Sequence, residues 1–449
     1  LLQDGARRID EQRFPHFAAF ARDATWYRNA TTIHESTRFS VPAIFDGRRP
    51  RPGQRETYAD HPQSIFTLLA GRYDMNVREE ATELCPLRLC GRHHEGNVLR
   101  RLRYGRVQRF RQTVRRITAG GRPQLTVIHA LFPHEPRQYL PDGRQYQRGG
   151  TPDPAIDGPA SYHRRFLTEQ VLQRTLLQLE FTDTLVGEVV ARLEREGIYD
   201  DALVAFVSDH GESFDVKRTP ASPFEIGELT FRRAVTPQNI EDIAGVALFV
   251  KYPGRPDGRI DDRFVRTVDL LPTIAAAAGV EPGPGLFGRD LRDPAYDGHG
   301  EVRVAKQRGG EIALPADRWR QRVQASKAHE LSLFGSGARS LFEFGPAREL
   351  HGRRVSDVAS RLARLAVKIR DASAFAHVRL NGTYLPAHVL GSAVRPVAGR
   401  TLAFALNGTI AATARGYPPL GRARFNFSAM LPPEAFRSGS NRLEVFAVR

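Results

Sequence analysis

Long apolar runs are missing from this chain. Nowhere do its 449 residues hold the ~20 consecutive apolar positions that a membrane-spanning helix needs, and no secretory signal pattern opens it. The chain begins Leu1-Leu2-Gln3-Asp4, without Met, and is expected to be part of a longer one. Lysine is nearly absent, confined to Lys217, Lys251, Lys306, Lys327 and Lys368, yet 66 basic residues face 50 acidic ones for a net charge of +16. Such a surplus favours anionic partners such as lipid surfaces, phosphate esters or nucleic acid. Arginine standing in for lysine throughout reads instead as a bias spread over the surface. The densest basic stretch, Arg100 to Arg116, holds only Tyr104 and Phe110 as aromatic residues, so stacking platforms for nucleic acid are lacking. Nucleic acid is therefore not an expected partner.

Cysteine is scarce too: Cys85 and Cys90 are the two there are. Three readings stay open. A small disulfide would place the chain in an oxidising compartment, and two free thiols would not. A zinc site drawing on His93 and His94 is disfavoured by the loose spacing and by the lack of a second cysteine pair.

What is present is an ordinary globular composition, 41% hydrophobic and 26% charged. The length allows one large α/β domain with a smaller one behind it. A helical stretch is expected around Phe14–Arg22 and a strand near Trp26–Ala30. Leu125–Leu131 is a short apolar run of the kind that forms a buried strand, stopped by Phe132-Pro133-His134-Glu135-Pro136. The stretch from Pro141 to Pro159 reads as a long surface loop. The clearest helix follows: Leu172, Leu176, Leu179, Asp183, Val186, Val190 and Leu193 alternate spacings of four and three, with Gly197 as the stop. Only Asp183 interrupts the apolar stripe. Tyr199-Asp200-Asp201 and the run Ala202–Val207 complete a helix, turn and buried strand, the repeating unit of an α/β sheet. Val246–Val250 is another strand, and Asp269 caps a helix through Leu270–Ala278 that Gly279 ends. Beyond about Leu291 the pattern fades.

The last ~75 residues alternate β-rich runs with Asn-Gly turns: Val378–Leu380 before Asn381-Gly382, Leu402–Leu406 before Asn407-Gly408, and Leu443–Val448. The expected organisation is an α/β domain over 1–295, a linker or partly helical segment over 296–372, and a small β-sandwich-like domain over 373–449.

Three clusters carry possible chemistry. Ser208-Asp209-His210-Gly211-Glu212 directly follows a strand, where ligands of open α/β sheets gather. Asp209 offers a hard oxygen and His210 an imidazole nitrogen, a pair that suits a divalent metal. Neighbours on a strand point to opposite faces, so both reach one ion only if the chain leaves the strand there, as Gly211 permits. A strand end capped by polar residues reads the same way. Second, His129 and His134 sit around the prolines that end another strand. A fixed loop can present His134 to an anionic oxygen or a leaving group, whereas His129 fits a core histidine. Third, a hydroxyl beside a bound cation becomes a nucleophile. Thr31, Thr32, Ser36, Thr37 and Ser40 all qualify, and an N-cap is the plain alternative for any of them.

In this order these segments resemble the sulfatase family of the alkaline-phosphatase superfamily, from about Phe14 to Leu291. Tyr199-Asp200-Asp201 through Ser208-Asp209-His210-Gly211-Glu212 is similar to that family's most specific motif. Val246 to Gly254 and Val268-Asp269-Leu270-Leu271-Pro272-Thr273-Ile274 are similar to its later sheet and helix. Ala24–Thr32 with Ser36-Thr37 and Val41-Pro42-Ala43 is similar to its nucleophile region. The variant most like this chain is a group of bacterial membrane proteins that carry transmembrane helices before an exported sulfatase-like domain and a β-rich tail.

The resemblance implies an alkaline-phosphatase/sulfatase-like sandwich around a central, mostly parallel sheet, with the small β-rich domain behind it. It implies Asp209 and His210 as metal ligands, Thr37 as ligand and nucleophile, and His134 at the transferring group. Asn239 and Lys251 lie in matching segments without an implied role. The cofactor would be one divalent ion, manganese or magnesium ahead of zinc or calcium. Typical sulfatases oxidise a Cys in Cys-x-Pro-x-Arg to formylglycine; no Cys stands near Thr37, so the site is similar to the threonine branch that transfers phosphoethanolamine or glycerol phosphate from lipids. The family also draws an acidic ligand from a first strand just ahead of this chain's start, which Asp4 and Asp10 follow too late to match. The substrate implied is a phosphate or sulfate ester, of lipid or envelope polymer, with the membrane reached through segments upstream and the domain outside the cytoplasm. The rival reading is a non-catalytic relative that binds envelope polymer.

Overall fold

The computed structural model describes residues 3–91, 97–147, 164–214, 234–254, 258–420 and 424–449. His93, His94 and the greater part of the Pro141–Pro159 loop lie outside these residues. The helices, in chain order, are α1 (Pro15–Ala21), α2 (Thr37–Asp46), α3 (Ile65–Leu69), α4 (Leu87–Cys90), α5 (Val98–Arg103), α6 (Arg106–Arg115), α7 (Arg165–Arg195), α8 (Ile240–Ala244), α9 (Leu270–Ala277) and α10 (Ala316–Phe334). The strands of the first domain are β1 (Thr25–Tyr27), β2 (Asp74–Glu79), β3 (Gln124–His129), β4 (Val204–Val207), β5 (Leu248–Lys251), β6 (Arg259–Asp261), β7 (Glu301–Ala305) and β8 (Glu311–Pro315).

A sheet ordered β4-β5-β1-β6 forms the centre. β1 and β6 are parallel, while β5 runs against both β1 and β4, so three of these four strands share one direction. β2 and β3 form a separate parallel pair. Strand alternation divides the side chains between two layers. Trp26, Val204, Phe206 and Phe249 face α1 and α7, packing with Phe17, Phe20, Leu185 and Val186. Tyr27, Ala205, Val207, Leu248 and Val250 face the other way, against Ile44 of α2 and Leu270 of α9. Strands covered on both faces read as continuous apolar runs, which is why β5 is buried along its whole length.

The apolar stripe of α7 explains the molecule's second half. At 31 residues the helix is about 46 Å long, and its two ends serve different cores. Leu172, Leu176 and Leu177 pack with Phe404, Val389 and Phe427 of the C-terminal strands. Leu179, Leu185, Val186 and Leu193 pack on the central sheet. Asp183, the polar break in the stripe, accepts the backbone N–H groups of His16 (3.0 Å) and Phe17 (2.6 Å). These are first-turn donors of α1, which need a partner outside their own helix. Gly187 allows the approach: a Cβ there would lie 2.3 Å from His16 Nδ1.

The C-terminal domain is two antiparallel sheets. β9 (Leu362–Arg364), β12 (Thr401–Leu406), β13 (Thr409–Arg415) and β15 (Leu443–Val448) form one, ordered β13-β12-β15-β9; β10 (Val367–Ile369), β11 (His388–Ala393) and β14 (Phe427–Met430) form the other, ordered β10-β11-β14. They close on a shared core that includes Leu402, Phe404, Val389 and Phe427. Asn407 and Gly408 both have positive φ, 55° and 83°, and turn β12 into β13 as Asn-Gly does in a two-residue hairpin. Asn381-Gly382 makes no such hairpin; Val378 bridges singly to Gly439 instead. The stretch between the two domains holds the β7–β8 hairpin and the 19-residue α10, and β9 and β10 of the sandwich precede residue 373. Asp269 does not cap α9 with its side chain. It closes a 3₁₀ turn, accepting from Arg266 N, Arg289 N and the Tyr296 hydroxyl. No helix among the described residues is long and apolar enough to cross a membrane.

Candidate active site

The chain leaves the sheet at Ser208, whose N–H donates to Ala247 O at 3.0 Å. Gly211 N then donates to Ile243 O at 2.8 Å. Glycine is required here by close approach: a Cβ would stand 2.0 Å from Asp242 O. This turn folds His210 back so that its Nε2 lies 3.4 Å from Asp209 Oδ2, although strand neighbours would diverge.

Of the five hydroxyls in the Thr31–Ser40 stretch, Thr37 is the one that meets this turn. Thr31 Oγ1 donates to Val265 O, Thr32 Oγ1 to His34 O and Ser40 Oγ to Ser36 O. Thr37, the first residue of α2, places Oγ1 3.1 Å from His210 Nε2. His210 Nδ1 is 2.8 Å from Gly211 O, and a carbonyl only accepts, so Nδ1 carries a proton. In the neutral ring Nε2 then keeps its lone pair toward Thr37 and Asp209. The N-terminus of a ten-residue helix adds partial positive charge where an oxyanion would form.

These three groups fit part of a metal site. Ligands in adjacent octahedral positions around an ion at ~2.1 Å lie ~3.0 Å apart, and the 3.1 and 3.4 Å separations match that spacing. The backbone bond that fixes the His210 tautomer is the kind that metal-ligating histidines make. Among the described residues, however, no three His, Cys, Asp or Glu side chains gather to hold an ion.

His134 lines the same cavity as Thr37, His129, Asp209 and His210, a space of about 1220 Å³. Its Nδ1 donates to Glu135 O at 2.7 Å. The loop is held from two helices. Arg106 of α6 donates to the carbonyls of Leu131 (2.7 Å), His134 (2.8 Å) and Pro136 (2.7 Å), with its guanidinium over the Phe132 and Tyr139 rings. Burial pulls the Arg106 pKa down to about 10. Gln178 of α7 donates to Pro133 O and His134 O. His129 is half-buried, and desolvation lowers its pKa against the opposing pull of Asp209, Glu79 and Glu80.

His34 did not stand out in the sequence. Burial, then the neighbouring His210, lower its pKa to about 4, and its Nδ1 accepts from Ser36 N at 3.1 Å. Glu35 beside it accepts from Val235 N (2.6 Å) and Gln307 N (2.7 Å), tying the Thr37 segment to two distant loops. Lys251 and Asn239 turn out to hold backbone: Lys251 Nζ donates to the carbonyls of Tyr199, Asp200 and Ala202, and Asn239 closes the Ala234–Asn239 turn. Within the arginine-rich stretch, Arg101 and Arg109 are held on Glu80 and Arg111 on Glu188. Cys85 and Cys90 are joined in a disulfide.

A family model described as Sulfatase matches residues 8–280. Among curated proteins, the chain is 26% identical over 224 residues to an ulvan-active sulfatase of Formosa agariphila, covering 47% of this chain and 41% of that one. It is 22% identical over 190 residues to a lipoteichoic acid synthase of Staphylococcus saprophyticus, covering 41% and 26%. The chain thus spans less than half the length of these relatives. Among solved structures, a phosphonate monoester hydrolase from Silicibacter pomeroyi aligns with a TM-score of 0.44 at 18% identity, over 65% of this chain and 74% of that one. A 2-O GAG sulfatase aligns with a TM-score of 0.48 at 13% identity, over 73% and 85%.

Proposed function

Because the chain belongs to the sulfatase family, we propose that it cleaves or transfers phosphate or sulfate esters with Thr37 as nucleophile. The observation that carries this reading is the Thr37 hydroxyl 3.1 Å from His210 Nε2 beside Asp209, at the start of a helix. Thr37 Oγ1 attacks the phosphorus or sulfur, forming a covalent threonine ester as its hydroxyl proton passes to solvent and the bond to the leaving oxygen breaks. His134, protonated on both ring nitrogens, gives a proton to that oxygen and is left neutral. Water or an acceptor hydroxyl then attacks the threonine ester and restores Thr37. Thr37, Asp209 and His210 would hold a divalent metal, manganese or magnesium ahead of zinc or calcium. When bound, such an ion neutralises charge on the ester oxygens and eases loss of the hydroxyl proton.

A second reading has its own support. Two side chains and a hydroxyl fall short of a full ligand set, and the Thr37–His210 bond alone is a nucleophile–base pair, with His210 Nε2 taking the Thr37 proton. The likeness to a lipoteichoic acid synthase supports an envelope polymer or its lipid donor as substrate, with the full-length protein anchored in the membrane. The Cys85–Cys90 disulfide supports a location outside the cytoplasm.

The test is turnover of an aryl phosphate and an aryl sulfate, before and after chelation and on restoring manganese or magnesium. Turnover lost to chelator and regained with metal supports the metal reading, and chelator-resistant turnover supports the base. Thr37→Ala is expected to lower kcat at least 10³-fold at unchanged melting temperature. Undiminished turnover in Thr37→Ala would sink Thr37 as the nucleophile, and no turnover by the wild type with or without metal would leave the non-catalytic envelope-binding role.

A further inference from the structure

We infer that Arg137 is a positioning residue that holds the two loops of the site in register, an inference that rests on the ester-cleavage reading above. Its guanidinium is almost wholly buried and reaches three separate stretches of chain. Nη2 donates to Glu212 Oε2 at 2.7 Å, Nη1 to Glu135 Oε2 at 3.3 Å, and Nε to Thr175 Oγ1 of α7 at 2.5 Å. Glu212 lies three residues after Asp209, and Glu135 directly follows His134. One cation therefore ties the loop carrying Asp209 and His210 to the loop carrying His134.

The chemistry requires this residue type. A buried charge is costly unless paired and hydrogen-bonded, and two carboxylates meet that need here. The planar guanidinium donates in several fixed directions at once, where a lysine ammonium is a point charge on a flexible stem. Arg106 and Gln178 fix the His134 loop on its own frame; Arg137 sets its position relative to the other loop. A misplacement of ~1 Å between reacting groups can cost ~100-fold in rate.

The experiment compares the full chain with Glu212→Gln, Arg137→Lys, Arg137→Gln and the double variant Glu212→Gln/Arg137→Gln. Aryl phosphate kinetics and histidine ¹H–¹³C correlation spectra are the readouts. Glu212 is partly exposed, so its variant keeps the test usable where loss of Arg137 prevents folding. The expected result is kcat reduced ~10–100-fold in Glu212→Gln with KM little changed, no rescue by Arg137→Lys, and a double variant no worse than the worse single one. In the spectra Glu212→Gln moves His134 signals as well as those of His210. The control Arg111→Gln, at a surface pair with Glu188, moves neither. A Glu212→Gln protein with wild-type kcat and unmoved His134 signals overturns the inference, as does a lowered melting temperature at unchanged kcat. If the wild type turns over no ester, the functional reading fails while the spectra still decide whether the loops are coupled.

Discussion

Two loops meet at the candidate site, and they are built by different means. The His210 loop is set by backbone: Ser208 and Gly211 donate to main-chain carbonyls, and no Cβ fits at Gly211. The His134 loop is set by side chains: Arg106 of α6, Gln178 of α7, and Arg137 through Glu135. A loop fixed by backbone depends on one residue being small. A loop fixed by side chains spreads the task over several residues, each removable at a cost that scales with the acceptors it leaves buried.

The largest expected effect breaks the backbone-built loop. Gly211→Ala must push Asp242 O away from a 2.0 Å approach; a cost of about 3 kcal/mol or more is expected, with activity down over ~100-fold. Gly197→Ala is the matched control, since its φ is +68° with nothing near its Cβ position, and about 1 kcal/mol is expected there. Equal costs in chemical denaturation would erase the distinction. Arg106→Met comes next. It strips a buried donor from three carbonyls, and roughly 3 kcal/mol of stability should go, with Arg106→Lys recovering part of it. A cost under ~0.5 kcal/mol would mean that Gln178 suffices to hold the loop.

The smallest expected effect sharpens the comparison through α7, the helix behind the His134 loop. Burial raises the Glu180 carboxyl pKa to about 8, opposed by Arg13. A raised carboxyl pKa means that the folded state holds the proton more tightly than the unfolded chain. The stabilisation is present below about pH 4.5 and is lost as pH rises toward 8, a few kcal/mol at most. Denaturation of Glu180→Gln should show a flatter pH dependence across that window; an unchanged slope would place the titration elsewhere.

Much of the fold was legible. The α7 stripe, the strands β3, β4 and β5 (of which only β5 is buried throughout, β3 and β4 being largely half-buried), and the Asn407-Gly408 hairpin follow from periodicity and turn chemistry, which are local. Asp183 looked like a flaw in the stripe because its partners, His16 and Phe17, lie over 160 residues away. Asn381-Gly382 carried the same dipeptide as Asn407-Gly408 and formed no hairpin, because Val378 bridges to Gly439 rather than to a strand beyond the turn. At the site, Asp209-His210-Gly211 announced itself by following a strand. His34, Arg106 and Arg137 did not, since nothing in their spacing separates them from other histidines and arginines of this chain.

The sequence by itself determined the α/β and β-rich halves, the strand end that bears Asp209 and His210, and the proline-bounded loop that bears His134. Tertiary structure alone decided which of five hydroxyls meets His210, which arginines turn inward, and that α7 packs two cores at once. The physical reason is range. Periodicity, turns and prolines act between residues a few positions apart, whereas Thr37 and His210 are 173 residues apart and become neighbours only when the helices and strands between them have packed.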